Sequence, residues 1–224
     1  MERLINLNKK NNQKLSDFYN NYDYVSFWRG RDYENGADRL AVMSLLALAR
    51  KSGACSNFID IGTGPGRMVP FYESVFKKIT LLDSSIDQLK IAQKRIKDKS
   101  KFEIILANVQ KIPLVDASCD TALCVRVFHY ISNPSAVLRE INRILELNGY
   151  LILEIPNEIH AKNRIKSIFK KSNNGSISNY SIDNQKNKGD MIYINHNPKK
   201  ISRLLKENGF EIIEILSVSN FRFG

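Results

Sequence analysis

The 224-residue chain contains no run of about 18 apolar residues, so nothing in it reads as a membrane-spanning helix. Its first ten residues, Met1-Glu2-Arg3-Leu4-Ile5-Asn6-Leu7-Asn8-Lys9-Lys10, lack the apolar core and small-residue cleavage site of a signal peptide, and a cytoplasmic location is expected. Cysteine is scarce. Cys55, Cys119 and Cys124 are an odd number with no metal-ligand spacing, which argues against a disulfide framework and a thiolate metal site. They read as small reduced core residues, and no metal is expected. There are three histidines, His129, His160 and His196, and one tryptophan, Trp28.

Basic residues are abundant but unevenly placed. The net charge is +11. Residues 1–157 carry 22 basic and 17 acidic side chains, residues 158–206 carry 11 and 3, and residues 207–224 carry 1 and 3. The excess therefore sits in one late segment. Such a segment suits a phosphate-bearing or acidic partner, or is simply a solvated face.

Strand and helix patterns alternate from residue 36 onward, which argues an α/β domain with a parallel sheet covered on both faces. A first helix over 36–51 has Leu40, Met43, Leu46 and Ala47 at helical spacing. Strands are expected at 57–61, 79–82, 102–106, 121–125, 150–155 and 210–216. Helices are expected at about 66–76, from Ser84 or Ser85 to Ile96, from Asn133-Pro134 to about Leu147, and from Asn197-Pro198 to Asn208-Gly209. Between the fifth strand and the last helix lies a basic insertion, about 157–196. Its start could be an amphipathic helix, its middle is polar, and 191–194 could be a short strand. Ligands of open α/β sheets bind beyond the C-terminal strand ends, so an insertion leaving the fifth strand is placed to cover a substrate.

The densest signal is Phe58-Ile59-Asp60-Ile61-Gly62-Thr63-Gly64-Pro65-Gly66, a strand that ends on a carboxylate and runs into a turn with three glycines. Glycines permit a sharp turn and close approach of backbone to a ligand, and a following helix offers free N–H groups. Asp83, at the end of the next strand, lies about 20 residues on, where an acidic residue can hold ribose hydroxyls. A nucleoside-like ligand that also carries a cationic amine fits this set. A dehydrogenase would need G-x-G-x-x-G, whereas here the glycines fall at 62, 64 and 66 and Arg67 follows.

The D-x-G-x-G-x-G spacing resembles motif I of class I S-adenosylmethionine-dependent methyltransferases. The stretch from about 56 to 157 resembles the type 11 methyltransferase domain, the family that includes ubiquinone/menaquinone-biosynthesis-like enzymes. Beside Phe58–Gly66, the phrases that carry the resemblance are Leu81-Leu82-Asp83-Ser84-Ser85, Ile112-Pro113-Leu114, Ser118-Cys119-Asp120, and Arg139-Glu140-Ile141-Asn142-Arg143-Ile144-Leu145 ahead of Asn148-Gly149-Tyr150-Leu151. The resemblance implies a Rossmann-like three-layer αβα sandwich with a mostly parallel sheet. The family sheet normally closes with a last antiparallel strand; this chain stops soon after the sixth strand, so that strand is expected to be lacking. The implied organisation is an N-terminal cap segment over 1–35 and a methyltransferase domain over 36–224.

The resemblance also implies roles. S-adenosylmethionine would be the cofactor and S-adenosylhomocysteine its product. The backbone of Gly62, Thr63, Gly64 and Gly66 would hold the methionine part, with Asp60 reaching its amino group. Asp83, beside Ser84, would accept both ribose hydroxyls. Asn108 and the Val109 backbone would meet the adenine edge, although an acidic residue is more usual at 108, so altered rather than lost binding is expected. Arg126 would line the methionine side through its main chain. In the aromatic and basic phrase 22–34, Trp28 would stack on adenosine or substrate and Arg31 would pair with the cofactor carboxylate.

Methyl transfer from a sulfonium is an in-line displacement that needs alignment and exclusion of water more than a fixed triad. A base helps a hydroxyl or carbon acid, and His129 with Tyr130 is the best-placed pair; a loop histidine bonded to backbone is the competing reading. The chain lacks the Asn-Pro-Pro-Tyr signature of amino-group methylation and the Pro-Cys nucleophile of cytosine enzymes. A small-molecule or lipid-precursor acceptor is therefore expected. An RNA or protein methyltransferase using the basic insertion and a noncatalytic cofactor-binding module are the alternatives.

Overall fold

A computed structural model of the chain describes residues 24–155, 194 and 196–218. The expected N-terminal cap is described only from residue 24. The expected insertion lies outside the described residues apart from 194 and 196, and with it His160 and residues 191–193 of the short strand. A one-turn helix α1 (Tyr24–Phe27) leads into α2 (Asp32–Lys51). Then follow β1 (Asn57–Ile61), α3 (Val69–Tyr72), β2 (Lys78–Asp83), α4 (Ile86–Gln93), β3 (Phe102–Leu106), β4 (Cys119–Cys124), α5 (Pro134–Ile144), β5 (Leu145–Leu153) and α6 (Pro198–Glu207).

The five strands form one sheet in the order β3-β2-β1-β4-β5, with every pair parallel. β4 is buried at all six positions, as a central strand covered on both faces must be. Strand alternation splits the core in two. On one face Phe58, Ile79, Leu81 and Leu123 meet Val42 and Leu46 of α2, Tyr72 of α3, and Leu89 and Ala92 of α4. On the other, Ile59, Ile61, Leu82 and Ala122 meet Val137, Leu138 and Ile141 of α5 and Ile201 of α6. The result is the expected three-layer αβα sandwich. Among the described residues, no helix is long and apolar enough to cross a membrane.

The chain order reverses between β1 and β4, which opens a crevice at their C-terminal ends, where α/β sheets take ligands. The caps follow the sequence: Ser85 accepts from the Gln88 N–H, Asn133 from Ala136, and Asn197 from Lys199 and Lys200. Ser85, not Ser84, caps α4.

Four expectations are corrected. The helix after the glycine turn is one turn long, not eleven residues. Gly64 and Gly66 have φ of +54° and +70°, outside helical space, and Pro70 removes an N–H from the first turn. On α2 the buried stripe is Asp38, Val42, Leu46 and Ala49, while Leu40 and Met43 are 69% and 46% exposed and Ala47 also faces outward. α5 ends at Ile144, because the N–H groups of Ala117 and Ser118 take the carbonyls of Arg143 and Ile144 and pull the chain into β5 five residues early. Residues 210–216 form no strand among the described residues, and Ile213 and Ile215 stay 70% and 73% exposed. A strand is made by its neighbour's ladder, and among the described residues no strand pairs with this segment.

Gly62 shows how tightly the turn is built. It has φ +70°, and a Cβ there would stand 2.3 Å from Val127 Cγ2. Gly62→Ala is expected to cost about 2–4 kcal/mol, from left-handed strain plus overpacking, and to lower the melting temperature by roughly 10 °C. Gly36, inside α2 with open space around it, is the control. Gly36→Ala should stabilise by about 0.5–1 kcal/mol. Thermal melts of the two variants check the pair.

Candidate active site

The glycine turn is tied to the end of β2. The N–H groups of Gly62 and Thr63 donate to the Leu82 carbonyl at 2.7 and 3.0 Å, and the Gly64 N–H donates to Asp83 Oδ2 at 2.8 Å. The sequence reading of a long helix dipole behind the turn is thus replaced by a backbone cradle held against a carboxylate. Gly64 is its open point: φ is +54°, and nothing lies within 4 Å of where a Cβ would stand.

Asp60, at the penultimate position of β1, is 4% exposed. Its Oδ2 accepts from Thr63 Oγ1 at 2.9 Å and from the Tyr72 hydroxyl at 2.6 Å. Burial pushes its carboxyl up to about 6; the two hydroxyl bonds and Arg67 oppose that, and the nearby Asp83 adds to it. Asp83 is 9% exposed. Its Oδ1 accepts the Ser85 N–H at 2.9 Å while Oδ2 holds Gly64. Burial raises its carboxyl as well, against backbone N–H bonds from Ser85, Gly64 and Ser84. Three N–H bonds on two oxygens leave the carboxylate spare acceptor capacity for a ligand hydroxyl.

A cleft of about 360 Å³, counted to its open mouth, is lined by Asp60, Gly62, Thr63, Gly64, Pro65, Arg67, Met68, Val125 and Arg126. Over it sits the described end of the N-terminal segment. Two guanidiniums lie against the Trp28 ring, with Arg67 Cζ 4.2 Å and Arg126 Cζ 4.6 Å from its centroid. Both cations bond Asp38 Oδ2, Arg67 at 3.1 Å and Arg126 at 3.2 Å. Arg67 also donates to Asn35 at 2.8 Å, and Arg126 reaches Glu34 at 3.9 Å. Arg126 has φ +59°, and its N–H donates to Glu154 Oε2 at 2.7 Å, so its carbonyl and guanidinium are what it offers the cleft.

The structure therefore brings Asp60, Gly62, Thr63, Gly64, Asp83, Arg126 and Trp28 together. Gly66 backs them, with its N–H on the Thr63 carbonyl. Ser84 is half-buried beside Asp83. Asn108 and Val109 follow β3 along the same sheet edge. The Asn108 Oδ1 accepts the Gln110 N–H at 2.7 Å, which makes it a turn-former, and Val109 packs on the core. Arg31 points elsewhere: it pairs with Glu34 at 3.4 Å and lies over Phe27, with a 41% exposed side chain. His129 is 4% exposed, its ring centroid 3.9 Å from that of Tyr130, and its carbonyl accepts the Ile194 N–H at 2.8 Å. Both stand beyond β4, outside the lining of the cleft.

Arg67, Asp38 and Tyr72 escaped the sequence reading. Arg67 registered only as a departure from the dinucleotide pattern. Asp38 left a usable signal, a carboxylate four residues ahead of Val42 on the apolar stripe. Tyr72 left none beyond an aromatic in a core-like position.

Asp60 gives a stability test. A carboxyl that titrates near 6 when folded and near 3.8 otherwise contributes stability that is full below about 3.8 and lost as pH rises through about 6. At pH 7 the buried charge costs about 3 kcal/mol. Asp60→Asn, which cannot ionise, is expected to raise the ligand-free melting temperature by several degrees at pH 7.5, about half as much at pH 5 and little at pH 4, as read by calorimetric melts.

A parallel sheet whose switch point joins a glycine cradle to two acidic strand ends defines a nucleoside-cofactor-binding α/β domain. The Methyltransferase domain family model matches residues 59–153. The demethylmenaquinone methyltransferase of Thermotoga maritima is 30% identical over 162 residues, which cover 69% of this chain and 69% of that protein. Among solved structures, a SAM-dependent methyltransferase from Thermotoga maritima aligns with TM-score 0.64 at 22% identity, over 89% of this chain and 81% of that one. The magnesium protoporphyrin IX methyltransferase of Synechocystis PCC 6803, solved with bound SAH, aligns with TM-score 0.66 at 15% identity, over 92% and 91%. The chain belongs to the class I S-adenosylmethionine-dependent methyltransferases, in the type 11 methyltransferase-domain family. It is an enzyme that uses S-adenosylmethionine as its methyl donor.

Proposed function

We propose that the chain methylates a small-molecule or lipid-precursor acceptor, with the donor held in the cleft between the glycine turn and the covering N-terminal segment. The observation that carries the reading is a glycine turn at the switch point flanked by two carboxylates: Asp60, which lines the cleft, and Asp83, which holds the Gly64 N–H of the turn that lines it. The donor set fits the ligand. Asp60 suits the cationic amine, Arg67 and Arg126 suit the carboxylate, Asp83 suits the two ribose hydroxyls, and open space at Gly64 admits close approach. Arg67 and Arg126 take the carboxylate role that the family resemblance implied for Arg31. We assign Asn108 and Val109, which follow β3, to the adenine edge. Trp28, held against the two arginines, covers the methionine side and excludes water.

S-adenosylmethionine supplies an electrophilic methyl carbon on sulfur. The acceptor lone pair forms the new bond to that carbon as the carbon–sulfur bond breaks and its electron pair stays on sulfur. The chain's part is to align acceptor and methyl at about 3–3.5 Å and keep the cleft dry. Where the acceptor is a hydroxyl or carbon acid, we keep His129, beyond β4 beside Tyr130, as the candidate base, a role that requires the acceptor to reach past the cleft lining.

A small acceptor is supported by the relative named as a demethylmenaquinone methyltransferase. The basic stretch 158–206 favours the second reading, an RNA or protein acceptor. Incubating the purified chain with methyl-labelled donor and separated metabolite, lipid, RNA and protein fractions tests the choice. Label in the metabolite or lipid fraction supports the proposal; salt-sensitive label in RNA, or label in protein, overturns it.

A further inference from the structure

Tyr72 is a phenol where a phenylalanine would pack as well. Its side chain is fully buried, with its ring 4.6 Å from Phe58, against the inner face of β1. A hydroxyl in such a place costs free energy unless it is hydrogen-bonded. Its bond goes to Asp60 Oδ2 at 2.6 Å, and Thr63 Oγ1 reaches the same oxygen at 2.9 Å. The phenol stays protonated far above the ordinary range, because burial and the adjacent Asp60 charge both disfavour its ionisation. With one hydrogen to give and an acceptor-only carboxylate before it, Tyr72 is the donor. Both hydroxyls converge on one oxygen of Asp60, and that leaves the other for a ligand in the cleft.

We propose that Tyr72 is a positioning residue for the methyl donor: its hydroxyl, with that of Thr63, pins one oxygen of Asp60 and presents the other to the ammonium of the methionine part. The proposal rests on the reading of Asp60 given above and goes past it, because it assigns a role to a core residue that touches neither donor nor acceptor. The charged groups facing Asp60 are Asp83 from β2, Arg67 and Arg126 across the cleft, and Glu154 beyond β5; Cys124 on β4, its thiol pushed up by burial, stays neutral. Of these, Asp83 opposes the Asp60 charge and Arg67 supports it, together with the two hydroxyls. Removal of a hydroxyl therefore makes the carboxylate harder to ionise.

The test is S-adenosylhomocysteine binding by titration calorimetry from pH 5 to 7.5, with the Asp60 carboxyl followed by carbon-13 NMR in the free protein. The variants are Tyr72→Phe, Thr63→Val and Asp60→Asn, each also melted to confirm folding. In the native chain the Asp60 midpoint is expected at about 6, with affinity falling roughly tenfold per pH unit well below it. Tyr72→Phe is expected to raise the midpoint to about 7 and to weaken binding about threefold at pH 6.5, with a smaller loss at pH 7.5. Thr63→Val should move both in the same direction, and it decides the matter if Tyr72→Phe does not fold. A Tyr72→Phe protein that melts lower but keeps the native midpoint and affinity at every pH overturns the proposal and leaves a packing role. An Asp60→Asn protein that binds as tightly as the native chain overturns the reading beneath it.

Discussion

Asp83→Ala is expected to weaken S-adenosylhomocysteine binding by roughly 100-fold or more. The native carboxylate stands at the end of β2, with Oδ2 on the Gly64 N–H of the turn and Oδ1 on the Ser85 N–H just past the strand. It is 9% exposed, so a hydrogen bond it accepts from a ribose hydroxyl forms away from competing water. Hydrogen bonds to charged groups contribute about 1.5–3 kcal/mol each, and two of them account for that factor. The substitution acts a second time through the cradle, because the Gly64 N–H loses the acceptor that fixes the open point of the turn. Stability moves less than binding does: a buried charge disappears while two N–H groups lose a partner, and the terms oppose each other. Calorimetry on the folded variant reads the effect, and an affinity within threefold of the native value would remove Asp83 from the site.

Asp38→Ala carries the largest expected stability loss. Asp38 is 6% exposed and holds two guanidiniums, Arg67 at 3.1 Å and Arg126 at 3.2 Å, whose side chains are only 12% and 9% exposed. Without it two like charges stand close together beside Trp28 with Glu34 and Asn35 as the remaining supports. Removing one partner of a buried ion pair costs about 3–5 kcal/mol. For a chain of this size that is a fall of roughly 10 °C in melting temperature. Cofactor affinity should fall as well, since both arginines line the cleft. A double variant, Asp38→Ala with Arg126→Ala, should lose less than the sum of the single variants, because the second change removes one of the stranded charges. Melts of the three proteins check this; strictly additive losses would contradict the clamp.

Features written locally were legible in the sequence. β1 to β4 are short apolar runs bounded by turn residues, and the glycine turn, Asp60 and Asp83 sit at their ends. The caps Ser85, Asn133 and Asn197 follow from one residue and its near neighbours. What was missed depends on residues distant in the chain. The early end of α5 is imposed by Ala117 and Ser118, which take the Arg143 and Ile144 carbonyls. The missing strand at 210–216 has the right residues and no ladder to join. The buried face of α2 was misread because two stripes compete on that helix. Leu40 and Met43 are apolar, yet Val42, Leu46 and Ala49 meet the sheet, and the polar Asp38 on that stripe is there for Arg67 and Arg126. The clamp joins residues 29 and 88 positions apart, and no periodicity records such a link.

The same distinction holds within the site. The carboxylates and glycines announce themselves by spacing, whereas the groups that orient them do not. Tyr72 lies twelve residues past Asp60 and looks like core. Arg67 looks like a broken motif until α2 supplies its partners.

Titration of the purified chain with S-adenosylhomocysteine and, separately, with NAD tests the central claim most directly. Saturable S-adenosylhomocysteine binding at one site per chain, with no heat from NAD, is the expected result. Preferential binding of NAD, or S-adenosylhomocysteine binding that survives the loss of both Asp60 and Asp83, would contradict it.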